Sequence, residues 1–302
     1  MAPRFGRLEF PPLPPVPAMI IYIACGDENG PGKVYQVTDT GRVLGIVNLP
    51  FTPTGLALHR QHGLIATTPR DGGKIVRIDD TGKVATIIEK DENLVHPLDV
   101  AVGGESDTIV VADNMADTLM ATSTAGNKPR EYMRFEGQKW REQMMSVAVT
   151  RDKHVLLGTD GDEGIYRFSG DSSPGSMKPI LPGRGGVAAD PATLKWAATQ
   201  SPNKIHVFEG EEPVCTFTLP PEKFLYRQGL LSFSPAGGVV VAARDADKPD
   251  DNPWLILFET EEGKRERVTS LFQWDLDRMT DFVVGPRMYW ERNERRPYRS
   301  LY

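Results

Sequence analysis

Cysteine is scarce in this chain of 302 residues, in which only Cys25 and Cys215 occur. A disulfide between them could form only if the fold brought the two thiols together. They fall in different copies of a repeated pattern that is described below. We therefore expect no disulfide between them.

Long apolar runs are lacking as well. The longest one near the start, Met19–Cys25, has the length of a β-strand and falls short of the roughly 18 residues that suggest a membrane span. The opening sequence MAPRFGRLEF has no apolar segment of the signal-peptide kind. We therefore expect no membrane partner and a cytoplasmic protein, although the sequence leaves the compartment otherwise open.

Acidic residues outnumber basic ones between the two ends of the chain. The formal net charge is −6, yet residues 287–302 hold five Arg against two Glu, and residues 1–17 hold two Arg against one Glu. The body between them therefore carries a net charge of −10. Such a body repels phosphate backbones, so nucleic acid is not an expected partner.

A repeated pattern dominates what is present. The stretch PLDVAVGGESDTIVVAD, Pro97–Asp113, contains two short apolar segments separated by a Gly-Gly turn. Similar stretches begin at Thr52, Met145, Arg184 and Leu230, and a last opening, TDFVVG at Thr280, has no second half. Apolar segments of this length, bounded by turn residues, are typical of β-strands.

The period of the pattern indicates the architecture. The openings fall at Gly55, Asp99, Ser146, Gly186, Leu230 and Asp281, with spacings of 44, 47, 40, 44 and 51 residues. A four-stranded propeller blade occupies roughly 40–45 residues. A β-sandwich gives no reason for a near-constant period, so the sequence predicts an all-β propeller with four-stranded blades.

The unpaired last opening predicts how the ring closes. Three strands precede the first full repeat, at Ile20–Gly26, Lys33–Thr38 and Val43–Asn48. Five full repeats, these three strands and one C-terminal inner strand at Asp281–Gly285 together make six blades. Pairing the two ends of the chain in one blade removes an exposed sheet edge. We therefore predict a six-bladed β-propeller over residues 18–286.

Two arms flank the predicted propeller. Residues 1–17 contain six prolines and should form an extended arm, because proline excludes helix and interior strand. Residues 287–302 form a basic, aromatic tail, a composition enriched at protein interfaces. We expect the ring to fold without the arms, and at least one arm to support self-association. The alternative is that the tail straps onto its own acidic propeller. The candidate partner-binding residues of the tail are Tyr289, Trp290, Arg295, Arg296 and Tyr298.

Antiparallel topology predicts which residues share a face. The residues that open the inner strands should crowd one end of the axis, while loops after the second strands, including the one with Arg244, form a mostly acidic rim. Such loops are also acidic simply because Asp and Asn favour turns. The axial candidates for ligand binding are Thr54, His96, Asp99, Ser146, Arg184, Gln228 and Asp281.

The phrasing P-x-(G/D)-(L/V)-A-V, followed by (L/I)-(I/V)-V-A-(D/T), resembles the repeats of NHL propellers and of the related senescence-marker protein and gluconolactonase superfamily. The resemblance covers nearly all of residues 20–286. In its lactonase and phosphotriesterase branch it implies a divalent metal on the axis, held by Glu, Asn and Asp side chains. Here the family's PNG phrase is replaced by Pro53-Thr54-Gly55, and the oxygen donors that could hold calcium are Asp99 and Asp281.

Two functions of different classes remain open. The first is a non-enzymatic, NHL-like propeller that needs no cofactor and holds a protein partner through its polar face and its arms. The alternative is a metal-dependent hydrolase of the lactonase or phosphotriesterase type, with catalytic residues that the sequence does not identify. The chain contains no GxSxG motif, phosphate-binding loop or paired-cysteine motif, so other common enzyme classes receive no support.

Overall fold

The computed structural model describes residues 19–27, 30–69, 72–103, 107–135, 144–161, 164–169, 178–228, 230–248, 253–260 and 266–290. Within these ranges, β-strands form six small antiparallel sheets, and the helical structure is a 3-10 turn at Tyr226–Gln228. The sheets follow one another around a central axis, and neighbouring inner strands contact each other. The predicted six-bladed β-propeller is confirmed.

The strands are numbered along the chain, and the blades are numbered from the first complete repeat. Blade 6 holds β1 (Ile20–Gly26), β2 (Gly32–Thr38), β3 (Val43–Leu49) and β24 (Met279–Gly285). Blade 1 holds β4 (Gly55–His59), β5 (Gly63–Thr68), β6 (Lys74–Ile78) and β7 (Val84–Ile88). Blade 2 holds β8 (Pro97–Val102), β9 (Thr108–Asp113), β10 (Thr118–Ser123) and β11 (Arg130–Arg134).

Blades 3, 4 and 5 follow in the same direction. Blade 3 holds β12 (Met144–Val149), β13 (Val155–Thr159) and β14 (Tyr166–Phe168). Blade 4 holds β15 (Val187–Ala189), β16 (Lys195–Gln200), β17 (Lys204–Glu209) and β18 (Glu212–Thr218). Blade 5 holds β19 (Lys223–Leu225), β20 (Leu231–Phe233), β21 (Val239–Asp245), β22 (Trp254–Thr260) and β23 (Glu266–Gln273). Residues 170–177, where a fourth strand of blade 3 would fall, lie outside the described residues.

Blade 6 closes the ring by joining the two ends of the chain. Strand β24 pairs antiparallel with β1, with Ile20 opposite Gly285 and Ile23 opposite Phe282. Strand β1 then pairs with β2, and β2 with β3. This is the predicted closure, in which one C-terminal inner strand completes three N-terminal strands.

The core lies between the blades. Alternate side chains of β1 face different neighbours, because side chains alternate across a strand. Ile21 and Ile23 pack with Val240 of blade 5, whereas Tyr22 packs with Leu64 of blade 1. The six buried clusters each join two neighbouring blades. Each fully buried aliphatic side chain in them contributes about 1.5–3 kcal/mol to folding, which is why most side chains of the inner strands are apolar.

Blade 5 departs from the repeat at its inner edge. Strands β19 and β20 both pair with β21, so two short pieces replace one inner strand. Between them Arg227 has φ 41°, in the left-handed region that β-strands do not use. The repeat pattern opens at Leu230 and therefore predicts the second piece while missing the first.

The segment after β24, residues 286–290, forms a strap across the groove between blades 6 and 1. The Tyr22 hydroxyl donates to the Pro286 carbonyl at 2.6 Å and accepts the Met288 N–H at 2.9 Å. The side chains of Met288 and Trp290 are buried in the cluster that joins the two blades. This burial opposes the expectation that the ring folds without its tail.

The five tail residues predicted to bind a partner fall into two groups. Trp290 is 7% exposed and its indole N–H donates to the Asp79 carbonyl of blade 1, so this side chain is used within the molecule. Tyr289 beside it is 78% exposed. The remaining three, Arg295, Arg296 and Tyr298, lie outside the described residues, as does the proline-rich arm.

Two expectations from composition concern cysteines and membrane spans. Cys25 and Cys215 form no disulfide, as predicted. In the part of the chain that the structure describes, no helix has the length and apolar character needed to cross a bilayer.

Candidate functional site on the top face

The face where the inner strands begin is called the top face, and the opposite one the bottom face. Asp99 lies near the start of β8, on the top side of the axis. Its Oδ1 accepts the N–H of Val100, and its Oδ2 accepts the N–H of Val147 on the next inner strand, both at 2.8 Å. The carboxylate therefore links blade 2 to blade 3.

Asp281 repeats this arrangement on β24. Its Oδ1 accepts the N–H of Phe282 at 2.8 Å, and its Oδ2 accepts the N–H of Leu56 at 2.5 Å. The second bond links blade 6 to blade 1, across the seam where the ring closes.

Two serines make the same kind of link without charge. The Ser146 hydroxyl accepts the N–H of Val187 at 3.2 Å, and the Ser232 hydroxyl accepts the N–H of Val284 at 3.0 Å. These four contacts are called the inter-blade clasps below. Each one satisfies a main-chain N–H on the inner edge of a sheet, where the next blade supplies no complete ladder of hydrogen bonds.

Both axial carboxyl groups contact the start of β4, at Gly55 and Leu56. A Cβ at Gly55 would lie 2.9 Å from Asp99 Oδ1, and the next N–H along the chain belongs to Leu56, the partner of Asp281. Burial raises the pKa of Asp99 to about 7. Burial, together with the charge of Asp99, raises the pKa of Asp281 well above its usual value. The pair therefore resists carrying two negative charges at once.

These residues do not fit an axial calcium ion. A calcium site needs six to eight oxygen ligands. All four carboxylate oxygens of Asp99 and Asp281 already accept main-chain N–H groups, and the Ser146 hydroxyl is bonded to Val187. Arg227 adds a positive charge close enough to lower the pKa of Asp281. The axial donors are committed to holding the blades together.

The other axial candidates lie in the same region with different contacts. The Thr54 hydroxyl donates to the Pro97 carbonyl at 3.0 Å, another link between neighbouring blades. The N–H of His96 donates to the Asp113 carboxylate at 3.0 Å, while its buried Nδ1 has no hydrogen-bond partner among the described residues. Gln228 lies in the 3-10 turn of blade 5.

Arg184 belongs to a separate pocket on the top face, between blades 4 and 5. This top pocket has a volume of about 400 Å³. Its lining includes three arginines and an apolar part made by Pro202, Phe224 and Tyr226; the arginines are Arg184, Arg227 and Arg244. Cavities of roughly 300–1,000 Å³ are typical of ligand sites, and three guanidinium groups give this one a preference for anions.

The break in the inner strand of blade 5 places Arg227 at this pocket. The left-handed residue redirects the chain after β19, and the Tyr226 hydroxyl anchors the turn by donating to the Met279 carbonyl at 3.1 Å. Arg184 lies on the opposite wall, where its guanidinium is 3.7 Å from the Asp160 carboxylate. More than half of the Arg184 side chain stays exposed, so its charge remains available to a ligand.

The sequence pattern predicts the polar face but not the pocket. It places Arg184 among the axial candidates and Arg244 at the rim, without bringing the two together. It misses Phe224, Tyr226 and Arg227, because FLYRQ lies between two repeats, where the period carries no information. A basic and aromatic segment in an acidic body was the available signal.

No protein-family model matches the chain, and no curated protein matches its sequence. Solved structures do match. A chain of the nidogen/laminin complex shares 11% identity, with a TM-score of 0.61 over 90% of this chain and 99% of that one. The periplasmic gluconolactonase of Pseudomonas aeruginosa shares 16%, with 0.54 over 83% and 81%. The virginiamycin B lyase of Staphylococcus aureus shares 15%, with 0.50 over 74% and 76%.

Identities this low show a common fold and no common activity. They show the β-propeller fold that the repeats predict, and no family. The matched proteins include two enzymes and a member of a protein complex, as expected of a fold that hosts unrelated functions. The function of this chain therefore has to be argued from its own site.

Proposed function

We propose that this propeller is a non-enzymatic binding protein that holds an acidic segment of a protein partner in its top pocket. The observation that carries the proposal is the convergence of Arg184, Arg227 and Arg244 on one cavity of a chain whose net charge is −6. Guanidinium groups bind carboxylates through paired, charge-assisted hydrogen bonds. The apolar wall suits the methylene groups of Glu or an adjacent apolar side chain.

The exposure of the pocket favours a protein segment over an enclosed small molecule. Arg184 and Arg227 are exposed, and Phe224 is 37% exposed. A small ligand typically has 70–90% of its surface buried in its site, whereas a surface notch suits side chains that project from a larger partner. The axial carboxylates support a binding role because they are occupied as inter-blade clasps.

The test uses two peptides of equal length, one rich in Glu and one with Gln at the same positions, with fluorescence anisotropy as the readout. We expect the Glu-rich peptide to bind and the Gln peptide not to bind. The affinity for the Glu-rich peptide should decrease as the salt concentration rises. Arg227→Gly removes the guanidinium and suits the left-handed backbone, and it should weaken binding roughly tenfold or more. Arg184→Gln should act in the same direction.

The matched control is Arg151→Gln, which removes an exposed arginine from a turn on the bottom face. It should leave peptide binding unchanged. Equal binding of both peptides, or equal loss in Arg151→Gln and Arg227→Gly, would show that the top pocket is not the site. If the protein binds inorganic phosphate but does not bind the acidic peptide, the ligand of the top pocket is a small anion and not a protein segment.

The alternative of a metal-dependent hydrolase has a separate test. Metal analysis of the purified protein would be followed by a lactone-hydrolysis screen with calcium, zinc or manganese. Stoichiometric metal together with activity that Asp99→Ala abolishes would favour the hydrolase. Both oxygens of Asp99 already accept main-chain N–H groups. We therefore expect neither bound metal nor lactone hydrolysis.

A further inference from the structure

The bottom face holds a cluster that the spacing of the five histidines does not predict. His59 and His62 belong to the turn between β4 and β5 of blade 1, and Asp107 precedes β9 of blade 2. The Asp107 Oδ1 atom lies 3.5 Å from His59 Nε2 and 3.6 Å from His62 Nε2. The donor atoms of the three side chains all lie within 4.8 Å of one another.

We propose that His59, His62 and Asp107 form a zinc-binding site that bridges blades 1 and 2. Zinc is held by imidazole nitrogens and carboxylate oxygens at about 2.0–2.2 Å in tetrahedral geometry. Ligand atoms at two corners of such a tetrahedron are about 3.3 Å apart. The two N–O distances, 3.5 and 3.6 Å, exceed this by a few tenths of an ångström, and the fourth position remains for water.

The buried nitrogen of His59 is the second observation that points to a ligand. His59 is 5% exposed, and the Asp107 oxygen 3.5 Å from its Nε2 atom is too distant or misaligned to make a good hydrogen bond. An unsatisfied buried polar atom is costly. His62 and Asp107 are more exposed, at 30% and 65% of their side chains, so an ion could enter from solvent and meet all three donors.

Two main-chain hydrogen bonds in the turn between β4 and β5 oppose zinc binding by His59. His59 Nδ1 accepts the N–H groups of Gln61 and His62 at 3.1 and 3.2 Å, which places the proton of the neutral ring on Nε2. Ligation by Nε2 therefore requires that proton to leave and Nδ1 to carry one instead. The two main-chain N–H groups must then turn to water at the exposed tip. The loss of these two hydrogen bonds lowers the affinity of the site for zinc.

The surrounding charges partly offset each other. Burial lowers the pKa of His59, and His62 and the nearby Arg77 lower it further, while Asp107 acts in the opposite sense. The carboxylate of Asp107 supplies negative charge to compensate the positive charge of Arg77. We therefore expect this site to bind zinc with lower affinity than a three-histidine site does.

The test titrates ZnCl₂ into the full-length protein after dialysis against chelator, with calorimetry as the readout and Co²⁺ absorption as a probe of tetrahedral geometry. We expect one ion per chain. His62→Ala and Asp107→Ala should each weaken binding at least tenfold, and both should fold normally because the altered side chains lie at the surface. Hydrogen exchange at the amides of Gln61 and His62 should speed up when zinc binds.

A matched control comes from a second histidine–carboxylate pair on the same face. His154 Nδ1 lies 3.1 Å from Asp152 Oδ2 without a third ligand among the described residues, so His154→Ala should leave zinc binding unchanged. The proposal is overturned if no zinc binds up to millimolar concentration, or if His62→Ala and Asp107→Ala bind as well as wild type. Unchanged amide exchange on binding would also overturn ligation through His59 Nε2.

Discussion

Tyr22 and Pro286, which are 264 positions apart, are joined by a hydrogen bond of 2.6 Å from the phenol to the main-chain carbonyl. The same hydroxyl accepts the N–H of Met288 at 2.9 Å and the amide of Gln36 at 3.1 Å. Gln36 also donates to the Met288 carbonyl at 2.8 Å. A single buried hydroxyl thus connects the first strand of the chain with the strap that follows the last one.

Replacing Tyr22 with Phe should lower the free energy of unfolding by about 1–3 kcal/mol, since it leaves the Pro286 carbonyl and the Met288 N–H with fewer partners in a buried site. Urea unfolding would measure the change. Tyr289→Phe is the matched control, because its side chain is 78% exposed. Its effect should stay within about 0.5 kcal/mol. Equal effects of the two variants would mean that the buried network does not stabilise the strap.

Trp290→Ala should cost about 3–5 kcal/mol, the usual range for deleting a buried Trp side chain. The indole packs on Tyr22, with ring centroids 5.4 Å apart, and against Gly45 and Gly82. Tyr289→Ala serves as the control, again because its side chain points to solvent. A loss below about 1 kcal/mol in Trp290→Ala would contradict a strap that stabilises the seam.

The axial carboxyl groups should make stability depend on pH in an unusual direction. The pKa of Asp99 is raised to about 7 in the folded protein, against about 3.9 in the unfolded chain. The folded state therefore holds the proton of Asp99 up to a higher pH than the unfolded state does. The stabilisation that results is complete below about pH 4 and is lost as the pH rises to about 7. Asp281, whose pKa is also raised, acts in the same direction.

This pH dependence can be measured by comparing wild type with Asp99→Asn in chemical unfolding between about pH 4 and 7. Asn does not titrate, so the stability of wild type relative to the variant should fall as pH rises through this range. Carboxyl groups with a lowered pKa, such as Asp152 and Asp277, stabilise the fold until the pH falls below this range. They are present in both proteins, so their effect cancels in the comparison. A relative stability that rises with pH would contradict the raised pKa of Asp99.

Gly55→Ala should destabilise the ring by about 1–3 kcal/mol through overpacking. The new Cβ would lie 2.7 Å from the Cα of Asp99, which is main chain and cannot easily move aside. Thermal unfolding would detect the change. Gly30→Ala is a suitable control, since its nearest neighbour would be 3.8 Å away. Similar melting temperatures for Gly55→Ala and wild type would show that blades 1 and 2 can separate without loss.

The fold could be predicted because it follows from features that repeat along the chain. A period near 44 residues sets the blades, and the unpaired opening at Thr280 identifies the closing strand. Both depend on strand patterns within short windows of sequence. The inner edge of blade 5 could not be predicted in this way, since a single left-handed residue, Arg227, divides the inner strand and leaves no periodic trace.

The candidate sites were less predictable because they depend on contacts between blades. The strand openings assign Asp99 and Asp281 to the axis, but the hydrogen bonds of these side chains to the next inner strand could not be deduced from spacing. The meeting of His59 with Asp107 needs the relative position of two turns, and the burial of Trp290 needs the shape of a groove. Local patterns carry neither kind of information.

The closure of blade 6 also sets an order of events during synthesis. Strand β1, with the sequence IIYIACG, is made before the other described strands of the ring, and its partner β24 is made after them. At about 5–20 residues per second, the nascent chain carries an apolar, unpaired edge for on the order of tens of seconds. Such an edge is a template for wrong pairing between molecules. The newly made protein should therefore depend on chaperones most strongly before its final strand emerges.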